Sequence, residues 1–384
     1  MTHSSLGIGR REPTLADRLR GIQWGLLLLL SMIAGIGFAM LYSAANGEFH
    51  PWASRQMIRF AIVLVAVIAA AVIDIRVWFR AAYWLYAAAL ALVFAVDLRG
   101  FVGMGAQRWI DFGFLQLQPS EVMKMALVLA LARYFHCLAP DNIGRLRYLL
   151  VPAMMIAVPV ALVLKQPDLG TAMMLLAAGG ALVFLAGVPA WIFAAAAAAA
   201  VAAAPLAWTM LRGYQKSRLY TFLDPERDPL GAGYHILQSK IALGSGGLFG
   251  KGFLQGTQSH LSFLPEKQTD FIFTMIAEEF GLAGGLLLLA LYFAVLAYAF
   301  AIALRSRSRF GRLLGLGIAT NFFLYAFINT AMVTGLIPVV GVPLPLISYG
   351  GTAMIAVLVG FGVLMNIGIH RDAQISRHGE TRFG

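Results

Sequence analysis

Cysteine is almost absent from this chain: Cys137 is the only one in 384 residues. No disulfide framework and no cysteine metal site can be built from it. Charge is nearly as scarce, with 12% charged residues against 60% hydrophobic, and the acids number 18 against 29 Lys and Arg. Together with a mean hydropathy of +0.78, that balance excludes a soluble globular domain and points to a polytopic membrane protein. No His, Cys or carboxylate group has metal-cage spacing, no Gly-x-Ser-x-Gly elbow occurs, and His235 and His260 lack evident partners. Metal and triad chemistry are therefore unsupported. The glycine-rich run from Gly244 to Gly252 is not a P-loop, because Gly252 follows Lys251 where a magnesium site needs Ser or Thr. It reads as a flexible loop whose amides and Lys251 meet an anionic group.

What the chain does have is apolar length. A membrane span needs roughly 20 apolar residues. Predicted spans lie near residues 24–43, 57–75, 79–97, 120–138, 149–166, 170–188, 190–209, 271–304, 313–337 and 351–369. The predicted fold is an all-α polytopic integral membrane protein of about ten transmembrane helices, with one large extracytoplasmic loop, residues 210–270, between helices seven and eight. A cytoplasmic tail (1–23) precedes a single membrane domain (24–371), and a cytoplasmic tail (372–384) follows it. The first run ends at Ser43-Ala44-Ala45, which resembles a signal-peptide cleavage site, but Trp24 to Leu41 is long for a signal segment. An uncleaved anchor is expected.

The net charge of +11 could suggest nucleic acid, yet the basic residues fall in alternate short loops: Arg18 and Arg20, Arg76 and Arg80, Arg145 and Arg147, Arg305 to Arg312, and Arg371 onward. This is the positive-inside pattern, with both termini in the cytoplasm and no nucleic-acid partner. Segment 271–305 is too long for one span, since 35 helical residues reach about 52 Å against a core of ~30 Å. Gly281 to Leu304 would suffice, leaving Phe271 to Phe280 at or above the outer surface and Glu278 and Glu279 near the interface.

Polar clusters converge on the outer side. The stretch Arg108-Trp109 leads to Gln118-Pro119-Ser120-Glu121, with Lys124 spaced i, i+3 from Glu121 for an ion pair that is structural or regulatory. Asp168 lies in the tight turn Gln166-Pro167-Asp168-Leu169-Gly170, where it either shapes the turn or contacts substrate. The stretch Pro343-Leu344-Pro345 to Ser348-Tyr349-Gly350-Gly351 joins the last two spans with irregular backbone, which at membrane depth must be buried in protein or line a cavity. Asp270 ends the one long polar segment and abuts an apolar run, where an unpaired acid is costly unless used.

In this order these stretches, together with Phe263-Leu264-Pro265-Glu266 and Thr269-Asp270-Phe271-Ile272-Phe273, resemble the shape, elongation, division and sporulation (SEDS) family of peptidoglycan polymerases from about residue 20 to 371. Gly256-Thr257-Gln258-Ser259 and Val339 to Leu346 look like its elongation members rather than its division members. The resemblance implies polymerisation of lipid II into β-1,4 glycan strands on the outer face of the cytoplasmic (inner) membrane. It further implies Asp270 as the essential acid, a class B penicillin-binding protein as transpeptidase partner within the elongation machinery, and help from a divalent cation (Mg or Mn) with no recognisable resident site. One inverting displacement suffices for that chemistry, with one carboxylate as base. Arg108, Lys240, Lys251 and Lys267 are the candidates to hold the diphosphate, with Asp168 and Ser348 as further substrate contacts. The rival readings are a lipid II flippase, the division-specific paralogue and a scaffold for other wall enzymes. A transporter would place charges and broken helices near the midplane in two related halves, which this chain does not clearly show.

Overall fold

A computed structural model describes residues 14–99, 101–103, 106–111, 113, 116–210, 213–224, 232–260 and 266–376. Among these residues, ten helices of 17 or more residues form the membrane bundle: α2 (Trp24–Ala44), α3 (Ala53–Val72), α4 (Ile75–Arg99), α5 (Pro119–Cys137), α6 (Leu146–Lys165), α7 (Leu169–Leu185), α8 (Ala190–Met210), α12 (Ile272–Arg305), α13 (Arg309–Val333) and α14 (Gly351–Ile369). A short α1 (Leu15–Arg20) precedes them, and α9 (Gly213–Leu223), α10 (Ala232–Ser245) and α11 (Thr257–His260) lie in the long loop before α12. Seven of the ten are long and apolar enough to cross a membrane by themselves, and α7 and part of α8 form shorter apolar helices. Helix α5 carries Glu121, Lys124 and Arg133, and nearly all of it is buried among its neighbours. This is the all-α polytopic architecture expected from the runs of apolar residues. Helix α2 is part of that bundle, with Leu26, Leu30, Ile33 and Met40 fully buried.

One element escapes the apolar pattern. Between α4 and α5 the chain forms a small antiparallel sheet, β1 (Phe101–Gly103), β2 (Ala106–Asp111) and β3 (Gln116–Leu117), in the order β1-β2-β3. Strands of two to six residues leave too short an alternation to read from sequence.

The bundle has two chemically different ends. At one, Arg18 pairs with Asp74 at 3.8 Å, Arg133 donates to Arg80 O at 2.9 Å, Arg309 donates to Ala186 O at 3.0 Å, and Arg307 meets Asp372 at 3.1 Å. The basic loops therefore gather at one end, and the polar motifs gather at the other.

Local chemistry explains the helix boundaries that matter for the site. Pro119 occupies the first turn of α5, where its missing N–H costs nothing. Asp168 caps α7 by accepting from Thr171 N at 3.1 Å. Helix α12 breaks at Gly281, whose φ of 67° is left-handed. The carbonyls and the amide freed by the break are satisfied by the glycine-rich turn: Lys251 N donates to Glu278 O and Gly252 N to Glu279 O, both at 3.0 Å, and Leu282 N donates to Gly247 O at 2.9 Å. A side chain at Gly281 would collide with the backbone of Leu248 and Gly250.

The break falls where the length argument required a new start. The half-helix before it differs from expectation, because residues 272–279 are buried and Glu278 and Glu279 are fully enclosed rather than interfacial. Glu278 accepts from Lys251 Nζ at 2.8 Å and Gln258 N at 2.9 Å, and Glu279 accepts from Ser43 Oγ on α2. The loop covers this half-helix and partners Glu278, while Ser43 of α2 partners Glu279, as buried charged groups require.

The break gives a direct test. Gly281→Ala should destabilise the protein by about 1–3 kcal/mol, the cost of one strained backbone residue, read as a lower unfolding temperature in detergent. Gly180→Ala within α7, where a side chain meets nothing within 4 Å, should leave it unchanged or raise it.

Candidate active site

A cavity of about 500 Å³ opens at the polar end of the bundle. Five segments build its wall: β2 with Arg108 and Trp109, the start of α5 with Gln118, Glu121 and Lys124, the start of α7 with Asp168 and Thr171, the turn before α12 with Glu266, Thr269 and Asp270, and the α13–α14 connection with Gly341 to Pro343 and Tyr349. Three of the matched sequence stretches thus close on one space together with the described part of the fourth. Phe263, Leu264 and Pro265 of that fourth stretch lie outside the described residues.

The connection between α13 and α14 is irregular backbone deep in the bundle, and each of its polar groups needs a partner. Ser348 Oγ accepts from Leu344 N at 2.7 Å and donates to Thr269 O at 2.5 Å. Tyr349 N donates to Gln268 O at 2.8 Å, and Tyr292 OH to Pro345 O at 2.7 Å. Asn329 Nδ2 donates both to Asp270 O at 2.8 Å and to Val342 O at 2.7 Å. Ser348, a candidate substrate contact by sequence, is a buried strut between the two loops.

Asp270 is half-buried at the wall, with Oδ2 close against Gly341. No described residue donates a hydrogen bond to its carboxylate. Burial pushes its pKa up to about 6, Glu266 and Asp168 push in the same direction, and Arg108 opposes them. Such an acid is ionised near neutrality yet basic enough to take a proton.

Around it the charges are unequally engaged. Asp168 accepts from Thr171 Oγ1 at 2.9 Å and Gln118 Nε2 at 3.2 Å, and lies 3.7 Å from Arg108 Nε. Arg108 also donates to Pro167 O, while its Nε is buried with no hydrogen-bond partner among the described residues. Deeper in the wall, Lys124 Nζ bonds Glu121 Oε1 at 2.7 Å and sits 4.1 Å from the centre of the Tyr325 ring, whose hydroxyl donates to Glu121 Oε2. Both Glu121 and Lys124 are under 4% exposed. The expected ion pair is thus a closed triad with a tyrosine from α13.

The candidate lysines do not join this cavity. Lys251 is held by Glu278 and by Thr257 Oγ1 at 2.8 Å, and Lys240 lines a separate apolar cavity between α10, α12 and α13. Lys267 is half-buried, and desolvation holds its ammonium below the usual range. Among the described residues, no group of three His, Cys, Asp or Glu side chains is placed to hold a metal.

Residues 18–373 match the cell cycle protein family that groups FtsW, RodA and SpoVE. The chain belongs to this family. Its relatives include the peptidoglycan glycosyltransferase MrdB of Escherichia coli K12, 44% identical over 94% of this chain and 96% of that protein. A probable peptidoglycan glycosyltransferase FtsW of Trichlorobacter lovleyi is 37% identical over 92% and 95%. Among solved structures, the rod shape determining protein RodA of Thermus thermophilus superposes with a TM-score of 0.69 at 31% identity, covering 91% of this chain and 97% of that one. A chain from a peptidoglycan synthase complex, solved for its coordination of polymerization and crosslinking, gives 0.78 at 34% identity, covering 91% and 98%. The SEDS resemblance carried by the motifs is thereby confirmed along nearly the whole chain.

Tyr325, Asn329 and Gln118 are site residues that the sequence reading missed. Asn329 and Asn321 are buried amides inside an otherwise apolar helix, and polar residues at membrane depth are themselves a signal. Tyr325 gives none, since a tyrosine within a span is ordinary.

The triad makes a thermodynamic claim. Lys124→Met alone should cost about 3–5 kcal/mol, because it leaves a buried carboxylate uncompensated. Adding Glu121→Gln should restore part of that stability, a non-additivity read from unfolding of the single and double variants.

Proposed function

We propose that this SEDS protein is a peptidoglycan glycosyltransferase that polymerises lipid II by one inverting displacement, with Asp270 as general base. The observation that carries the reading is the contrast within the cavity: Glu121 and Asp168 are hydrogen-bonded, whereas the Asp270 carboxylate accepts no bond from a described residue and has its pKa raised to about 6. In the reaction, the acceptor hydroxyl loses its proton to Asp270 as its oxygen bonds the donor's anomeric carbon. The bond from that carbon to the diphosphate breaks, and the diphosphate leaves with the electron pair. A diphosphate needs positive charge rather than a general acid, and Arg108 brings a buried guanidinium N–H without a hydrogen-bond partner among the described residues. Asp168 orients Arg108 and starts α7, a positioning role. No step is routed through a divalent cation.

Higher identity to MrdB than to the FtsW relative, 44% against 37%, supports the elongation branch. The likeness to a chain from a complex of polymerization and crosslinking supports a transpeptidase partner. Concentration of arginines at the end opposite the cavity supports cytoplasmic termini and an extracytoplasmic site. A flippase reading finds less support, since the polar cavity lies at one end of the bundle.

Asp270→Asn should preserve fold and membrane insertion while glycan polymerisation of labelled lipid II falls at least ~100-fold, the lower end of what a positioned base contributes. Glu278→Gln should lose less. The wild-type rate should fall as pH drops through about 6, because the protonated carboxyl cannot accept the acceptor's proton. A near wild-type rate for Asp270→Asn would remove Asp270 from this role.

Orientation is tested separately. Cys137 is exposed at the arginine-rich end, so it should resist a membrane-impermeant thiol reagent in intact spheroplasts. Gln255→Cys in a Cys137→Ser background should react, and reversed labelling would invert the topology.

A further inference from the structure

The arginine-rich end holds a second polar cavity. About 350 Å³ in volume, it lies where the start of α2 meets the ends of α12 and α14. Gln23, Tyr298, Arg305, Gly368 and Arg371 line it. Gly368 leaves room that a side chain would take from Gln23.

Among the described residues its charges are not balanced. Arg371 lies 3.5 Å from Asp372, but that carboxylate is shared with Arg307 at 3.1 Å. Arg305 has no ion-pair partner among the described residues. Gln23 Nε2 donates to Gly21 O at 2.9 Å, while its Oε1 is buried without a hydrogen-bond partner among the described residues. The cavity therefore offers two guanidinium groups to an anion and one buried acceptor to a hydroxyl donor. Beside it the bundle presents an apolar face to lipid, with Trp24, Leu28 and Leu304 all more than half exposed. A tryptophan at this level marks the boundary between head groups and hydrocarbon.

A free anion would match only the arginines, whereas an anionic lipid matches the arginines and the apolar face together. We propose that this cavity binds the head group of an anionic glycerophospholipid that carries a hydroxyl, as phosphatidylglycerol does. The phosphate lies with Arg305 and Arg371, a head-group hydroxyl donates to Gln23 Oε1, and the acyl chains run along α2 and α12. Basic pockets between spans at a membrane surface are a general solution for such lipids. The site is separate from the catalytic cavity and does not depend on the polymerase reading. Its three helices nevertheless support the Asp270 loops further along the bundle: Gly37 of α2 packs on Leu346 and Ile347, Tyr292 of α12 bonds Pro345 O, and α14 begins directly after Tyr349-Gly350. Bound lipid ties the three together.

The test uses the purified full-length chain, stripped of lipid in detergent and offered phosphatidylglycerol or phosphatidylcholine, with bound lipid read by native mass spectrometry. Wild type should retain phosphatidylglycerol at least ~10-fold better, and gain thermal stability from it. Arg305→Gln/Arg371→Gln should lose most of that preference, a drop of ~10-fold or more for two arginines beside an anionic head group. Arg145→Gln/Arg147→Gln, basic residues outside the cavity, should keep it. Equal retention of the two lipids by wild type overturns the proposal, as does undiminished preference in the Arg305/Arg371 variant or an equal loss in the Arg145/Arg147 control. If the double variant fails to fold, Arg305→Gln alone carries the test: it should lose part of the preference, and an undiminished preference overturns the proposal. Gln23→Leu reads the hydroxyl contact: it should narrow the margin of phosphatidylglycerol over phosphatidic acid, and an unchanged margin refutes that contact.

Discussion

The carboxamide of Asn329 is the contact on which the active-site geometry rests. Two stretches of irregular backbone, the turn ending at Asp270 and the connection from α13 to α14, meet at a depth where water cannot serve their amides and carbonyls. Asn329 donates to one carbonyl from each, Asp270 O and Val342 O. Ser348 and Tyr349 add links from the connection to Thr269 and Gln268. All of these bonds use backbone groups of the turn, so Asp270 is fixed in place without spending its carboxylate.

That economy separates Asp270 from the other acids. Glu121 is closed by Lys124 and Tyr325, Glu278 by Lys251 and Gln258 N, and Asp168 by Thr171, Gln118 and Arg108. Each has its carboxylate oxygens occupied by donors of the protein, which leaves it less open to an incoming hydroxyl. Asp270 has desolvation and a neighbouring Glu266 instead, and these raise its affinity for a proton. The base role proposed for Asp270 thus rests on withheld hydrogen bonds.

Much of this was legible in the chain, for identifiable reasons. Apolar length is a strong signal, so the ten long helices lie close to the predicted runs, and the excess length of segment 271–305 pointed to a new start at Gly281, where α12 does break. Motif spacing marked Arg108, Glu121, Lys124, Asp168 and Asp270, and all five line one cavity. What sequence could not supply was convergence. Lys240 and Lys251 looked equivalent to Arg108 because each is a cation in an outer loop, but only Arg108 lies on a strand that reaches the cavity. Asn329 left a trace as an amide within a span, but its role, like that of Tyr325, depends on α13 passing behind the α5 start and the Asp270 turn, a tertiary fact.

The break in α12 explains why the Asp270 turn stays against the bundle. As a straight helix, 34 residues would extend about 51 Å and lift Asp270 well past a hydrocarbon core of ~30 Å. At Gly281 the chain instead turns, and the half-helix 272–279 is buried beneath α10 and the glycine-rich loop. Burial of that half-helix demands partners for Glu278 and Glu279, which Lys251 and Ser43 provide. The lysine that sequence offered to the substrate is thus engaged in closing the loop over the half-helix, and that closure holds the Asp270 turn at the wall of the cavity.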